Sequence, residues 1–79
     1  MTFDIEIDAR GLRCPLPVLR LRQALRGLRR GQVARLVADD PMAAIDVRHF
    51  CDEQGHALIA RHDAASADAF LIRKGRRAT

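Results

Sequence analysis

A two-layer sandwich of the α/β (α+β) class, in the order βαβαββ with two helices on one face of a four-stranded mixed sheet, is predicted by the pattern of this chain. Apolar and acidic residues alternate from Phe3 to Asp8, the period-two mark of a strand with one buried face. After Val18 the apolar spacing becomes helical, and the two periods then succeed one another to the C-terminus. With 79 residues, 48% hydrophobic and 30% charged, the composition is globular and the length suits one small domain. Residues 1–75 are read as that domain and residues 76–79 as a basic C-terminal tail, expected to fray.

The first strand is expected to turn Phe3, Ile5 and Ile7 toward the core, and Arg10-Gly11 to close it with a turn. In the first helix Leu21, Leu25 and Leu28 form the apolar stripe with Ala24 beside it, while Arg20, Arg22, Gln23, Arg26 and Arg29 form the outer face. Gly27 weakens its last turn, and Gly31 is the expected left-handed stop. Val33 to Ala38 follows as a strand with Ala34, Leu36 and Ala38 on one face, ending at the turn Asp39-Asp40-Pro41. Val47, Phe50, Cys51 and Gln54 mark a second helix, with Asp46 placed to cap it and Gly55 to end it. Pro41 to Ile45 fits either a separate turn or the first turn of that helix. Two more strands are expected near residues 56–62 and 69–74, joined by a polar segment at 63–68 and paired as a hairpin. A crossover helix between the first two strands makes them parallel.

Composition also removes function classes. No apolar run approaches the roughly 18–20 residues of a membrane-spanning helix, so no membrane partner is expected. The first residues lack the basic and apolar regions of a secretory signal, which points to the cytoplasm and to reduced thiols. Two cysteines do not make a disulfide framework. With three Phe and no Tyr or Trp there is no stacking platform for single-stranded nucleic acid. The net charge of +4 suits an acidic partner.

The chemistry centres on Leu12-Arg13-Cys14-Pro15-Leu16-Pro17, between the first strand and the first helix. A residue before proline is pushed out of helical geometry, so Cys14 is expected in the half-in position that opens the helix. Pro15 and Pro17 fall where the helix has no internal acceptor for an N–H, although Pro17 disfavours helical geometry at Leu16, so the helix is free to start only at Pro17. Cys14 then stands near the positive end of a helix dipole with Arg13 beside it, a setting expected to favour thiolate. A dithiol redox motif would place a second cysteine where Pro17 stands. Cys51 falls on the inner face of the second helix and is read as a small core hydrophobe. The three histidines are distant from Cys14 in sequence, and a thiol that only exchanges sulfur needs no general base. Asp39 and Asp40 are read as a cap and a solvated turn rather than a catalytic pair. His49, Cys51 and His56 have no paired-ligand spacing, so neither metal nor cofactor is expected.

Leu12 to Pro17, then Ala38-Asp39-Asp40-Pro41, Asp46-Val47, Phe50-Cys51, Gly55-His56 and Phe70-Leu71-Ile72-Arg73-Lys74 together resemble the TusA sulfur-carrier family, also called SirA-like proteins, in order from about residue 7 to residue 75. Arg48 departs from the proline the family often carries after the Asp-Ile/Val pair. The resemblance implies a small cytoplasmic sulfurtransferase in which Cys14 carries a persulfide. It also implies a cysteine desulfurase or rhodanese-like protein as donor and a further carrier as acceptor. The destinations it implies are tRNA thiolation, molybdenum cofactor or sulfur oxidation. Arg13, Pro15 and Pro17 are expected to support the sulfur and shape its loop, and Arg20, Arg26 and Arg29 to dock a partner. The alternative is a basic adaptor or RNA-binding module, with Arg73, Lys74, Arg76 and Arg77 as the weaker nucleic-acid footprint.

Overall fold

The computed structural model describes residues 3–64 and 66–75. The elements are β1 (Ile5–Asp8), α1 (Leu16–Arg26), β2 (Val33–Ala38), α2 (Ala43–Gln54), β3 (Ala57–Ala64) and β4 (Ala67–Arg73). They form the expected four-stranded mixed sheet, in the spatial order β1-β2-β4-β3. β1 and β2 are parallel, and β4 is antiparallel to both β2 and β3.

The core follows from the two periodicities. Ala34, Leu36 and Ala38 of β2 share a face with Phe70 and Ile72 of β4. Against that face pack Leu21 and Leu25 of α1 and Ala43, Val47, Phe50 and Cys51 of α2. Each fully buried Leu, Ile or Phe contributes roughly 1.5–3 kcal/mol of transfer free energy, so these few side chains dominate the stability of a small domain. The alanines of β2 leave room for the helices to lie close to the central strands.

Four features differ from the sequence expectation. Phe3 and Ile5 do not reach the core, being 43% and 38% exposed, and only Ile7 of that set packs against it. The cause is position: β1 is an edge strand, and Phe3 precedes it, its ring 5.8 Å from the Arg35 guanidinium. α1 ends at Arg26 with Gly27 as its C-cap, well before Gly31. The Gly27 N–H serves the carbonyls of its last turn, and Lys74 Nζ donates to the carbonyl of Leu25 at 2.6 Å and to that of Leu28, in the turn beyond, at 2.8 Å. α2 begins at Ala43 with Met42 as N-cap, so Pro41 belongs to a turn and Asp46 lies inside the first helical turn. The polar stretch expected as a connection between the last strands is largely strand, with Asp68 of β4 paired to Arg61 of β3 at 3.0 Å. Polar side chains there extend the ladder without leaving water. The basic tail expected at 76–79 lies outside the described residues.

One buried titratable group closes the end of the sheet. His56 stands after the left-handed Gly55, its ring 5.4 Å from that of Phe50, and its Nδ1 accepts the Gly75 N–H at 2.9 Å. A Cβ at Gly75 would stand 1.6 Å from the Gly55 carbonyl oxygen, so only glycine brings the chain this close. Burial, and then the charge of Lys74, hold the His56 pKa below its ordinary 6.5. Protonation would also remove the acceptor for Gly75. The unfolded chain therefore takes up this proton at a higher pH than the folded one, and stability falls as pH drops from about 6.5 toward the folded pKa. Thermal midpoints measured from pH 8 to pH 5 are expected to decline below pH 6.5 in the wild type and to decline less in His56→Gln.

Candidate functional site

Parallel β1 and β2 are each followed by a helix, so the loops leaving them open at the same end of the sheet. The N-termini of α1 and α2 are thereby brought together, and the first of these loops holds Cys14. Hydrogen bonds fix that loop at several points. Ala9 N–H donates to the Val37 carbonyl at 2.8 Å, and Leu16 N–H to the Arg13 carbonyl at 2.8 Å. The Asp39 carboxylate accepts the Gly11 N–H at 3.0 Å. Asp40, only 8% exposed, accepts the Cys14 N–H on one oxygen and the Met42 N–H on the other. These two bonds, Met42 first, hold its carboxyl below the usual range, and the Arg13 charge adds to them.

The Asp39-Asp40 pair is therefore more than the cap and solvated turn expected from sequence: Asp39 is exposed and Asp40 accepts the Met42 N–H as such a turn would, but both also bind the loop before α1. It ties the Cys14 loop to the start of α2. Its partners lie 28 and 26 residues upstream, at Gly11 and Cys14, a distance no local pattern reports. The available clue was topological, since parallel strands must place the loops after Asp8 and Ala38 side by side.

Cys14 itself is exposed. The Cys14–Pro15 peptide bond is cis, Pro15 is the N-cap, and Pro17 is buried within the first turn. Helical bonding begins with the Pro15 carbonyl, which accepts the Leu19 N–H at 3.1 Å, so the cap falls one residue later than expected for Cys14. A groove of about 410 Å³ runs from Cys14 along the seam between the helices, with apolar Val18, Leu19, Ile45 and Phe50 in its lining. Arg22, Asp46, His49 and Glu53 also line it. Leu16, Leu19, Met42 and Ile45 are large apolar residues left exposed near the two helix N-termini, Ile45 by 56%.

The electrostatic setting reverses the expectation of a stabilised thiolate. Hydrogen bonding to the Asp46 side chain raises the Cys14 pKa, with burial and then the negative charges of Asp46 and Asp40 acting in the same direction. Arg13 is exposed and lowers the Asp40 pKa, so its charge is set against that carboxylate. Asp46 and His49 were not legible as neighbours of Cys14, because they lie on α2 and meet it only across the seam.

The other expected residues separate clearly. Cys51 is buried in the core, as expected, and burial pushes its thiol up to about 11. Arg20, Arg26 and Arg29 are exposed, on α1 and the turn after it. Lys74 is turned onto the Leu25 and Leu28 carbonyls at the end of α1 rather than into an open basic footprint, and Arg76 and Arg77 lie outside the described residues.

Fold and site thus define a small α+β domain that offers one exposed thiol at the junction of two helix N-termini. Residues 5–74 match the family model described as Sulfurtransferase TusA, and the chain belongs to that family. It is also similar to the crystal structure of a SirA-like protein from Desulfitobacterium hafniense. The identity is 25% and the TM-score 0.80, over 92% of this chain and 100% of that one. Membership implies a sulfur-carrier role in a relay between donor and acceptor proteins. Among the described residues no helix is long and apolar enough to cross a membrane.

Because Asp40 serves two backbone donors at once, Asp40→Ala leaves both without their partner. The substitution is expected to cost about 2 kcal/mol, read as a lower midpoint in urea with an unchanged slope, and Asp40→Asn less.

Proposed function

We propose that Cys14 carries sulfane sulfur as a persulfide, received from a cysteine desulfurase or rhodanese-like donor and passed to a downstream protein thiol. The observation that supports this most is the placement of a single exposed thiol on an apolar ledge, while the second cysteine is part of the core. The reaction needs no external oxidant. The Cys14 sulfur attacks the terminal sulfur of the donor persulfide R–S–SH and forms a new S–S bond. The donor's own S–S bond breaks, and its inner sulfur leaves with the electron pair and regains a proton. The products are Cys14–S–SH and R–SH, and the same exchange run onto an acceptor thiol returns Cys14 to its resting form.

Pro15 and Pro17 restrict the backbone on either side of Leu16 and keep the ledge in one shape. Arg13 offsets the Asp40 charge beneath the loop. The exposed side chains of Leu16, Leu19, Met42 and Ile45 give a partner an apolar contact. Arg20, Arg26 and Arg29 add a one-sided positive field that draws an acidic donor or acceptor. The pathway served is tRNA thiolation, molybdenum-cofactor synthesis or sulfur oxidation, in the cytoplasm.

Incubation with a cysteine desulfurase and cysteine is expected to add one sulfur atom to the intact mass of the wild type and none to Cys14→Ala. Absence of the added sulfur, or its persistence in the variant, contradicts the proposal and favours a basic adaptor or RNA-binding role. For the docking face, Arg26→Glu combined with Arg29→Glu is expected to slow loading on the order of tenfold at low ionic strength. Wild-type loading should itself slow as salt is added, and the two rates should converge.

A further inference from the structure

α2 borders a second groove, on its β3 side. This one has a volume of about 290 Å³ and is lined by Ile45, Arg48 and His49 of α2, Leu58 and Arg61 of β3 and Phe70 of β4. Ile45 and His49, one helical turn apart, line both grooves and form the ridge between them, whereas Cys14 lines only the first. The floor is apolar. Phe70 is fully buried and Leu58 half-buried, and Ile45 stands 56% exposed at the rim. Among the described strands β3 is the outermost, with β4 on one side only, so its other backbone edge runs open beside the groove.

The two grooves differ in charge. The thiol groove mixes Arg22 with Asp46 and Glu53, while among the described residues no carboxylate lines the second. Arg48 is exposed and belongs to no ion pair among the described residues. Asp52, one helical turn farther on, is exposed and outside the lining. Arg61 is held in place: its guanidinium lies 5.8 Å from the centre of the Phe70 ring, and one of its nitrogens donates to Asp68 at 3.0 Å. A guanidinium has five N–H donors, so that single bond leaves others for a ligand.

We infer that this groove docks an extended acidic segment of a partner protein, with an apolar side chain over Leu58 and carboxylates on Arg48 and Arg61. The arginine fork matches a carboxylate in shape as well as in charge, and a cationic rim without a competing acid selects for such a segment. A nucleic acid lacks the contact it needs, because bases stack on open aromatic faces and the Phe70 ring is fully buried. A partner held on this side of α2 leaves Cys14 uncovered, so the thiol can meet a second protein at the same time. The site is separate from Arg20, Arg26 and Arg29 and does not rest on the persulfide reading.

The test follows the backbone amide signals of the isotope-labelled full chain as the peptide acetyl-Glu-Leu-Glu-Leu-Glu-amide is added. The same peptide with Lys for Glu, and hexauridylate, are the comparison probes. The acidic peptide is expected to move the signals of residues 44–49 and 58–61, and the lysine peptide to move none. Arg48→Glu is expected to weaken the acidic peptide on the order of tenfold. Arg48→Gln should weaken it less, which covers a failure of the charge-reversed variant to fold. Arg26→Glu reverses an equal charge on α1 and should leave the affinity within about twofold. Alkylation of Cys14 by iodoacetamide, located by peptide mass, should keep its rate at saturating peptide. Unmoved signals around the groove, unchanged affinity in both Arg48 variants, an equal loss in Arg26→Glu or a blocked Cys14 overturns the inference. Hexauridylate bound at the same amides as tightly as the acidic peptide overturns it as well, in favour of a phosphate backbone. No readout involves sulfur transfer, so failure here leaves the carrier reading in place.

Discussion

The Asp40 carboxylate is the constraint on which the site depends. One of its oxygens accepts the backbone N–H of Cys14 and the other that of Met42, so it joins the loop that opens α1 to the residue that caps α2. Without that join the helices would still cover the sheet, because Leu21, Leu25, Val47 and Phe50 hold them there. Their N-termini would no longer be locked to one another, and the ledge that carries the sulfur would lose its shape. A buried carboxylate is costly unless its lone pairs are used, and here the two N–H groups use them while Arg13 balances the charge.

Charges of both signs surround that join, with Arg13 on the loop and Arg22 in the groove lining. Close to the sulfur are carboxylates, Asp40 and Asp46, which favour the neutral thiol. The exposed side of α1 and the following turn carry the arginines Arg20, Arg26 and Arg29. Among the described residues the exposed thiol borders an open groove of about 410 Å³ between the two helices.

Much of this fold was legible because its central strands obey simple rules. β2 has the expected bounds and face, since Ala34, Leu36 and Ala38 alternate against both helices. The parallel pairing of β1 with β2 and the terminal hairpin followed from element order alone. The edge strand was misread because alternation at Phe3 and Ile5 reports a face but not whether a helix reaches it. The end of α1 was misplaced because Gly27 caps it in helical geometry and Lys74, from the far end of the chain, binds the Leu25 carbonyl of its last turn. At the site Cys14 stood out through its prolines and its place between strand and helix. Asp40, Asp46 and His49 did not, since each reaches the thiol region only after the parallel strands have set their loops side by side. The sign of the Cys14 pKa shift was misjudged for the same reason: the arginine was a sequence neighbour, and the carboxylates were neighbours only in space.

If one presented thiol suffices for sulfur relay, as proposed, Cys51 serves packing alone. The most direct measurement is two-step transfer by Cys51→Val, loaded from a desulfurase and then mixed with an acceptor protein, with the sulfur followed on both proteins by intact mass. Loading of one sulfur atom and its passage to the acceptor at the wild-type rate is the predicted result. Loss of transfer in a folded Cys51→Val protein, or a Cys14–Cys51 disulfide accumulating in the wild type during turnover, would contradict it.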